Sequence, residues 1–590
     1  MKDFLKYTLA TVAGIVLLAV IVTIIGVSSM AGMMASSETE TKVRQPSLFK
    51  LTLQGQVYEQ TADDPFASFM GGEQTTVSLE DLLSATEKAA ANSNIKGIYL
   101  EAKGLSASPA TLTAIRNALL DFKQSGKFVV SYGDSYTQAD YYICSVADKV
   151  ILNPQGVLDW HGLSSQSIFF TDAMKQLGVE MQIFKVGTYK SAVEPFMSTK
   201  MSDANREQVT AFLSSLWNGI VGDVSASRGL TPEVLNAYAD EYLGMSTPEE
   251  VVAKGMADTL LYMDGVKEYL KQCMGEKKEL HTLSLSDVKN IRKNTPLDKS
   301  GNIIAVYYAQ GDIVQAPSRN NLSGSPEIAS DKVIQDLKDL REDESVKAVV
   351  FRVNSGGGSA YASEQIWREI TLLKEKKPVI VSMGDLAASG GYYISCAADT
   401  IVAQPNTLTG SIGIFSMFPC AEKLLSDKLQ LHFDGVKTNA LSDMGSFYRK
   451  MNDGESALMQ KMTENGYKTF INRCADGRGK TPEAIDAIGQ GRVWTGEAAL
   501  ELGLVDVLGD IRTAEKIAAE KAGISSYALL SYPTPQNFFA QLMNKVQRSY
   551  IESRTPQLPA EFAEELKFLR NIESMDRIQA RMPYLFKVKM

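Results

Sequence analysis

Apolar residues along the chain follow two alternating patterns: short continuous runs rich in β-branched side chains, and longer stretches with helical spacing. Runs of the first kind predict buried strands, and stretches of the second kind predict amphipathic helices. The clearest strand runs begin at Ile95, Lys127, Asn302, Lys347 and Pro378, and the clearest helical stretches begin at Ala110, Glu327, Ala362 and Gly391. Strands that alternate with helices in this way predict an α/β fold with parallel strands.

The pattern occurs twice. Residues 133–163 align without a gap with residues 384–414, at an offset of 251 positions. A repeat this long indicates two tandem domains of one fold, because solenoid repeats are far shorter. We expect a first repeat over residues 45–290 and a second over residues 291–530, joined by the polar stretch 286–301. Each repeat is long enough to bury a core of its own.

Residues 1–44 differ in composition from the rest. Residues 7–34 carry no charge, and the apolar run over residues 10–27 is long enough to span a bilayer. Two lysines precede the run, so the positive-inside rule keeps the amino terminus in the cytoplasm and exports the remainder of the chain. We therefore expect a single-pass membrane anchor. A cleaved signal peptide is the alternative, although its apolar core is usually shorter.

The composition narrows the classes of function. The 590 residues are 44% hydrophobic and 22% charged, with a net charge of −9, which is typical of globular domains. The acidic balance and the lack of a long basic run argue against a nucleic acid partner. The five cysteines and three histidines show no ligand spacing, so we expect no metal site, disulfide framework or cofactor.

Two glycine-rich turns follow strands of the second repeat, where ligand sites of α/β proteins usually lie. The first, VNSGGGSA at residues 353–360, exposes backbone N–H groups that can bind an anionic oxygen. The second, AASGG at residues 387–391, places Ser389 at a predicted helix start, where backbone donors stabilise negative charge. Gly390 and Gly391 leave room for a substrate backbone.

The first repeat lacks both turns. Gln138 stands in the place of Ser389, and Leu-Ser-Ala at residues 105–107 replaces the three glycines 356–358. Plain loop geometry is the alternative explanation for any glycine-rich turn. A merely structural turn, however, has no evident reason to be kept in one repeat and lost in the other. The asymmetry therefore favours Ser389 as a nucleophile.

A serine nucleophile needs a base. The sequence identifies no carboxylate partner for His161 or His432, so a Ser-His-Asp triad stays open but unsupported. In the first repeat, Lys190 has apolar neighbours within VGTYKSAVEPF, and burial among such residues would let it lose its proton. Its pKa would have to fall about three units from roughly 10.4. The alternative is a solvated surface lysine, which Glu194 could keep charged.

Five motifs in order resemble the long, duplicated form of signal peptide peptidase A: TYKSAVEPF, VNSGGGSAYASE, AASGGYYIS, TGSIGIF and GRVWTGEAALELGLVD. The resemblance runs from the anchor to about residue 520. It implies two tandem Clp-protease/crotonase-like domains and a Ser/Lys protease, with Ser389 as nucleophile and Lys190 as general base. The family's oxyanion segment has a proline where this chain has Gly356, which leaves Gly357 and Gly358 as its glycines. We expect the amides of Gly357 and Gly390 to hold the oxyanion.

The resemblance also implies a substrate and a location. It points to an endopeptidase on the periplasmic side of the bacterial inner membrane that degrades signal peptides left there. Its partners would be cleaved signal peptides, other unfolded apolar peptides, and the bilayer through residues 7–34. A homotetramer is implied as well. Residues 409–415, including Ser411 and Gly413, are expected either to offer a strand edge to the substrate or to form a buried strand.

Two other functions and one segment stay open. The same fold would suit an acyl-CoA hydratase or isomerase, and a catalytically inactive membrane scaffold could use the groove to bind peptides. The carboxyl-terminal residues 531–590 have no counterpart in the first repeat. Their amphipathic pattern over residues 560–582 predicts a helical extension that packs between subunits, and the alternative is a helix that lies against the membrane, which its acidic residues do not favour.

Overall fold

The computed structural model describes residues 7, 14, 40–60, 76–275, 279–292, 300–317, 326–533, 576, 578–582 and 587–589. Its strands form a seven-stranded, an eight-stranded, a six-stranded and a two-stranded sheet within these residues. The two largest sheets belong to the two repeats and consist mainly of parallel strands. The fold is therefore α/β with two repeated domains, as the alternating pattern predicts.

The first repeat supplies the seven-stranded sheet. Its strands are β1 (Ser47–Tyr58), β2 (Thr76–Ser78), β3 (Ile95–Ser106), β4 (Phe128–Tyr136), β5 (Lys149–Leu158), β6 (Ser164–Gln166), β7 (Glu180–Val186), β8 (Thr259–Leu260) and β9 (Thr282–Leu283). Its helices are α1 (Leu79–Ala91), α2 (Pro109–Gln124), α3 (Gln138–Cys144), α4 (Thr171–Leu177), α5 (Asp203–Arg228), α6 (Pro232–Asp240), α7 (Pro248–Ala253), α8 (Met263–Met274) and α9 (Leu285–Lys289), with 3-10 turns at Ser191–Phe196 and Leu243–Met245. The strand order in the seven-stranded sheet is β2-β1-β3-β4-β5-β8, with β9 beside β1, whereas β6 and β7 belong to other sheets.

The second repeat supplies the eight-stranded sheet. Its strands are β10 (Ile303–Gln310), β11 (Asp312–Val314), β12 (Glu327–Ala329), β13 (Val346–Ser355), β14 (Gly357–Ser359), β15 (Val379–Ala388), β16 (Thr400–Ala403), β17 (Leu408–Gly410), β18 (Ile414–Cys420), β19 (Val493–Thr495), β20 (Val507–Leu508) and β21 (Ala528–Tyr532). Its helices are α10 (Ser330–Glu342), α11 (Ala360–Lys374), α12 (Gly390–Ser395), α13 (Asp453–Arg478), α14 (Pro482–Ile488), α15 (Gly496–Glu501) and α16 (Ile511–Ala522), with a π-helical turn at Leu424–Lys428. The strand order in the eight-stranded sheet is β19-β17-β15-β13-β10-β21, and β16 lies between β15 and β20. The other four strands, β11, β12, β14 and β18, belong to the six-stranded sheet.

Corresponding elements of the repeats have the same form. Helices α5 and α13 each span 26 residues. Both end at a glycine in the left-handed region, Gly229 with φ 68° and Gly479 with φ 61°. Glycine terminates a helix there because a Cβ would make that backbone conformation costly. The duplication seen in the sequence is thus a duplication of structure.

A six-stranded sheet connects the repeats with the carboxyl-terminal segment. Its order is β12-β11-β14-β22-β18-β7, in which β22 is Gln579–Arg581. A further strand, β23 (Lys587–Lys589), pairs with β6. The prediction of a helix over residues 560–582 is therefore wrong for residues 579–581, which form a strand. Pairing with two neighbouring strands outweighs the local helical spacing there. Apart from Asp576 and Ile578, the rest of that predicted helix lies outside the described residues.

The repeats share part of their hydrophobic core. One cluster begins in the first repeat and continues into Ile304, Val350 and Ile380 of the second repeat and Ala514 of α16. Another cluster covers the opposite face of the second sheet. Separate cores for the two repeats, as the sequence predicts, are therefore found only in part. The shared cluster fixes the two repeats against each other.

Two predicted segments are only partly described. The predicted anchor, residues 7–34, lies outside the described residues apart from Tyr7 and Gly14. Among the helices that the structure describes, none has both the length and the apolar composition required to cross a membrane. In the predicted linker, residues 286–289 belong to α9, whereas residues 293–299 lie outside the description.

Candidate active site

Ser389 lies where a central strand turns into a helix. It comes after β15 and precedes α12, and its backbone angles are φ 56° and ψ −112°. Such angles are strained for a residue other than glycine. The N–H of Ser389 donates a hydrogen bond to the carbonyl oxygen of Gly410, 2.8 Å away on β17. The neighbouring strand thus holds a strained backbone in place, as is common at functional sites.

Lys190 reaches the second repeat because β7 pairs antiparallel with β18. In that register Val186, the last residue of β7, lies opposite Ile414, the first residue of β18. Residues that come after Val186 therefore meet residues that precede Ile414. The side chain of Lys190 is fully buried there. The alternative of a solvated surface lysine is thus wrong.

Lys190 contacts two serines of the second repeat. Its Nζ lies 2.8 Å from Oγ of Ser389, 3.1 Å from the carbonyl oxygen of Ser411 and 3.2 Å from Oγ of Ser411, all within hydrogen-bond distance. Ser411 has a positive φ of 49°, and its N–H donates to the carbonyl oxygen of Arg492 over 2.7 Å. The structure therefore brings Lys190, Ser389 and Ser411 together within one chain.

Burial lowers the pKa of Lys190 well below its ordinary value, because desolvation disfavours the ammonium form. The nearest acid in sequence, Glu194, faces another group of residues. It accepts hydrogen bonds from Oγ of Ser202 over 2.5 Å and from Nδ2 of Asn205 over 2.9 Å. The expectation that Glu194 could keep Lys190 charged is therefore wrong. An unprotonated amine can accept the hydroxyl proton of Ser389 across the 2.8 Å contact.

The sequence did not reveal the loop at residues 490–491, which packs against the backbone of Lys190. Gly491 has φ 79°, and a Cβ added to it would lie 2.6 Å from the backbone nitrogen of Lys190 and 2.7 Å from its Cα. The N–H of Tyr189 donates to the carbonyl oxygen of Gln490 over 2.8 Å. Gly491 opens one of the family motifs, which was the one available signal. Its contact with Lys190 joins distant segments, and no local pattern reveals such a contact.

Two further residues complete this support. Nε2 of Gln208 on α5 donates to the carbonyl oxygen of Tyr189 over 3.0 Å, and its Oε1 accepts from the N–H of Val493 over 3.2 Å. A Cβ at Gly413 would lie 3.1 Å from Cδ of Lys190. The predicted Gly413 thus borders the lysine side chain, and the small size of glycine admits that side chain.

The glycine turn lies beside Ser389, as predicted. A Cβ at Gly357, whose φ is 101°, would lie 2.7 Å from the backbone nitrogen of Gly390. The N–H of Gly357 donates to Oγ of Ser355 over 3.1 Å, so this predicted oxyanion donor already has a partner. Gly358 pairs with Ile313 of β11. Gly357 and Gly390 therefore lie against each other next to Ser389, and Gly358 joins the turn to β11.

The structure offers no histidine for Ser389 among the residues it describes. His432 is exposed, and Nε2 of His161 lies 3.3 Å from Oδ2 of Asp159 in the first repeat. Gln138, the counterpart of Ser389, accepts hydrogen bonds through Oε1 from the N–H groups of His161 and Gly162. The first repeat has thus replaced the serine with an amide that braces a loop.

Known proteins resemble this chain over most of its length. The model of peptidase family S49 matches residues 121–277 and 371–525, one match in each repeat. Protease 4 of Salmonella typhi is 38% identical over 480 residues, which cover 80% of this chain and 76% of that protein. Protease 4 of Haemophilus influenzae is 36% identical, with 74% and 72% covered. The chloroplastic serine protease SPPA of Arabidopsis thaliana is 31% identical, with 86% and 75% covered. The chain therefore belongs to peptidase family S49, as a serine peptidase of the signal peptide peptidase A type.

Proposed function

We propose that the protein is a membrane-anchored endopeptidase in which Ser389 is the nucleophile and Lys190 the general base, and that it degrades signal peptides left in the membrane. The observation that carries the catalytic assignment is the 2.8 Å contact between Nζ of Lys190 and Oγ of Ser389. Both side chains are fully buried. Burial lowers the pKa of Lys190, which is the direction that a base working near neutral pH needs.

The geometry supports a two-step hydrolysis. Lys190 accepts the proton of Ser389 as Oγ attacks the peptide carbonyl, and it then gives that proton to the leaving amine as the carbon–nitrogen bond breaks. A water molecule, deprotonated by Lys190, then hydrolyses the acyl-enzyme. The N–H of Gly390 and, once it leaves Oγ of Ser355, the N–H of Gly357 are the donors that would hold the oxyanion. Removing one such donor commonly costs about 3–4 kcal/mol of transition-state stabilisation.

Ser411 would position the base. Its carbonyl oxygen and its Oγ both accept hydrogen bonds from Nζ of Lys190. The two N–H groups of the unprotonated amine therefore point away from Ser389. The remaining lone pair of an unprotonated amine then faces the hydroxyl group. Orientation of this kind contributes to catalysis because the reacting atoms are held at attack distance.

The proposed substrate and location rest on a relative's description and on the composition of the amino terminus. A relative from Enterococcus faecium, 30% identical over 259 residues, is described as a putative signal peptide peptidase SppA. The uncharged, apolar residues 7–34 support an anchor with the catalytic body on the periplasmic side. The resemblance to this family supports Clp-protease/crotonase-like repeats and a homotetramer. An extended apolar peptide would bind by pairing with strands next to Ser389.

Hydrolysis of an apolar signal-peptide-like substrate by the full-length chain in detergent tests the catalytic assignment. We expect Ser389→Ala and Lys190→Ala each to reduce kcat by at least about 10³-fold, and the double variant to be no worse than either one, because the two residues act as a unit. Gln138→Ala, at the corresponding position of the first repeat, is the matched control and should retain activity. Cleavage that survives either substitution would show that the residue's assigned role is wrong.

The membrane assignment needs a separate test. We expect the full-length chain to stay with the membrane fraction after a high-salt wash, and added protease to degrade its folded body only from the periplasmic face. A chain without residues 1–44 should leave that fraction. Release of the full-length chain by salt alone would contradict the proposed anchor.

A further inference from the structure

The cleft beside Ser389 contains a strand from the chain's own carboxyl-terminal segment. Strand β22 lies antiparallel to β14, with Ala580 opposite Gly358, and antiparallel to β18, with Gln579 opposite Phe415. We propose that residues 578–582 occupy the active site as a substrate would, so that this segment must leave before another peptide can bind. The inference rests on the proposed peptidase function and names the occupant of its site.

The register places one carbonyl group at the catalytic residues. A Cβ at Gly357 would lie 2.1 Å from the carbonyl oxygen of Ala580 and 2.7 Å from the backbone nitrogen of Gly390. A Cβ at Gly390 would lie 2.9 Å from the same carbonyl oxygen. Gly390 directly follows Ser389. The carbonyl of Ala580 therefore occupies the space in which a substrate carbonyl would meet the oxyanion donors.

The backbone pairing agrees with this register. The N–H of Met582 donates to the carbonyl oxygen of Gly356 over 2.7 Å, and the N–H of Ala360 donates to the carbonyl oxygen of Ile578 over 3.2 Å. Antiparallel ladders alternate between bonded and non-bonded pairs. This alternation assigns Ala580 to the bonded pair between these two. A substrate that adds a strand to a sheet edge is bound by main-chain bonds of this kind.

The side chains on both sides of this carbonyl fill matching pockets. Ala580 is fully buried, so a larger side chain at this position would have to displace its neighbours. Arg581 is 5% exposed, and its Nη2 lies 3.4 Å from Oδ2 of Asp312 on β11. Met582 packs in an apolar cluster that includes Ala388, the residue before Ser389. The segment is thus recognised by its small, cationic and apolar residues in turn.

The pairing is also short enough to be reversed. Strand β22 pairs with three residues of β14 and with one residue of β18. Each such hydrogen bond contributes little net stability, because the separated groups form hydrogen bonds with water instead. A tethered segment competes with free peptide at an effective concentration on the order of millimolar. Occupancy by the segment should therefore raise the KM of a free substrate and leave kcat unchanged.

Two substitutions in the full-length chain test the proposal. Arg581→Glu places a second negative charge against Asp312, and Ala580→Trp exceeds the volume of its pocket. We expect each to lower the KM of a peptide substrate about 10-fold at unchanged kcat, because the competing segment is displaced. Amide hydrogen exchange at residues 357–359 should become faster in both. The charge swap Asp312→Lys with Arg581→Glu should return the KM toward that of the unsubstituted chain.

A synthetic peptide with the sequence of residues 578–582 provides a readout that does not need catalysis. Labelled with a fluorophore, it should bind the Ala580→Trp variant at least about 10-fold more tightly than the unsubstituted chain, whose cleft is already filled. If no variant hydrolyses any peptide and this difference persists, the peptidase function fails but the occupancy stands. Equal peptide affinity together with equal KM, in variants whose thermal unfolding shows an intact fold, would mean that β22 is a fixed structural strand and would overturn the proposal.

Discussion

Nζ of Lys190 lies 2.8 Å from Oγ of Ser389, although the two residues belong to different repeats and are 199 positions apart. The antiparallel pairing of β7 with β18 is what brings them together. Neither repeat holds both groups, since Gln138 replaces the serine in the first. The duplicated fold has thus become asymmetric, and the site exists only when the two repeats pack against each other.

The pH dependence of hydrolysis should report on the protonation of Lys190. Only the unprotonated amine can act as a base, so kcat/KM should rise with pH through the pKa of Lys190 in the folded protein. Burial lowers that pKa well below the ordinary lysine value of about 10.4. We therefore expect the acid limb of the profile to lie well below pH 10. A limb near pH 10 would mean that the amine is charged in the resting enzyme. Thermal unfolding at each pH controls for loss of fold.

Burial of Lys190 should also reduce the stability of the fold. Its pKa is lower folded than unfolded, so the unfolded chain binds more protons between these two values, and stability rises with pH across that window. Lys190→Met removes this cost. We expect the variant to unfold at a higher temperature at neutral pH, by about 1 °C for each kcal/mol gained in a chain of this length. The difference should shrink as the pH approaches 10. A variant that is less stable at pH 7 would contradict the neutral, desolvated amine.

Much of the site could be read from the sequence because its residues lie in turns with recognisable composition. The repeat offset, the glycine turns and the motif around Lys190 predicted the residues that now cluster. Strand β22 could not be predicted, since its helical spacing is local whereas its pairing partners, β14 and β18, lie more than 150 positions away. The role of Gly491 could not be predicted for the same reason, because its contact with Lys190 joins segments that are distant in sequence. A glycine that makes room for the backbone of a distant segment produces no periodic pattern in the sequence.

Gly491 should be essential for placing Lys190. Alanine at this position would bring its Cβ to 2.6 Å from the backbone nitrogen of Lys190, so Lys190 has to move away from Ser389. Small displacements of catalytic groups can cost about 10²-fold in rate, and we expect a fall of that order in kcat for Gly491→Ala. Gly479→Ala is the matched control. Its φ of 61° is equally unfavourable for alanine, but a Cβ there meets nothing within 4 Å.

The comparison separates strain from displacement. If Gly479→Ala and Gly491→Ala lose stability to a similar extent and only the second loses kcat, the contact with Lys190 is responsible. Equal kcat values in the two variants would show that Gly491 serves the backbone turn alone.

A buried ion pair between the repeats should contribute to the stability of the fold. Glu59 of the first repeat accepts two hydrogen bonds from the guanidinium of Arg352, over 3.0 and 2.9 Å, and both side chains are at most 4% exposed. Nδ2 of Asn354 donates to Glu59 and to Asp385 on β15, the strand that leads to Ser389. Thr111 of the first repeat also donates to Asp385. The network therefore ties the first repeat to the strand that leads to Ser389.

Removal of one partner should cost far more than removal of both. Glu59→Ala leaves a buried guanidinium without its carboxylate, and we expect urea denaturation to show a loss of about 3–5 kcal/mol. Glu59→Leu combined with Arg352→Met should recover most of this loss, because no uncompensated charge remains. Glu241→Ala, which breaks the exposed pair with Lys254, is the control and should change stability by about 1 kcal/mol or less. If the single and double variants at the buried pair were equally unstable, packing rather than charge would hold the repeats together at this point.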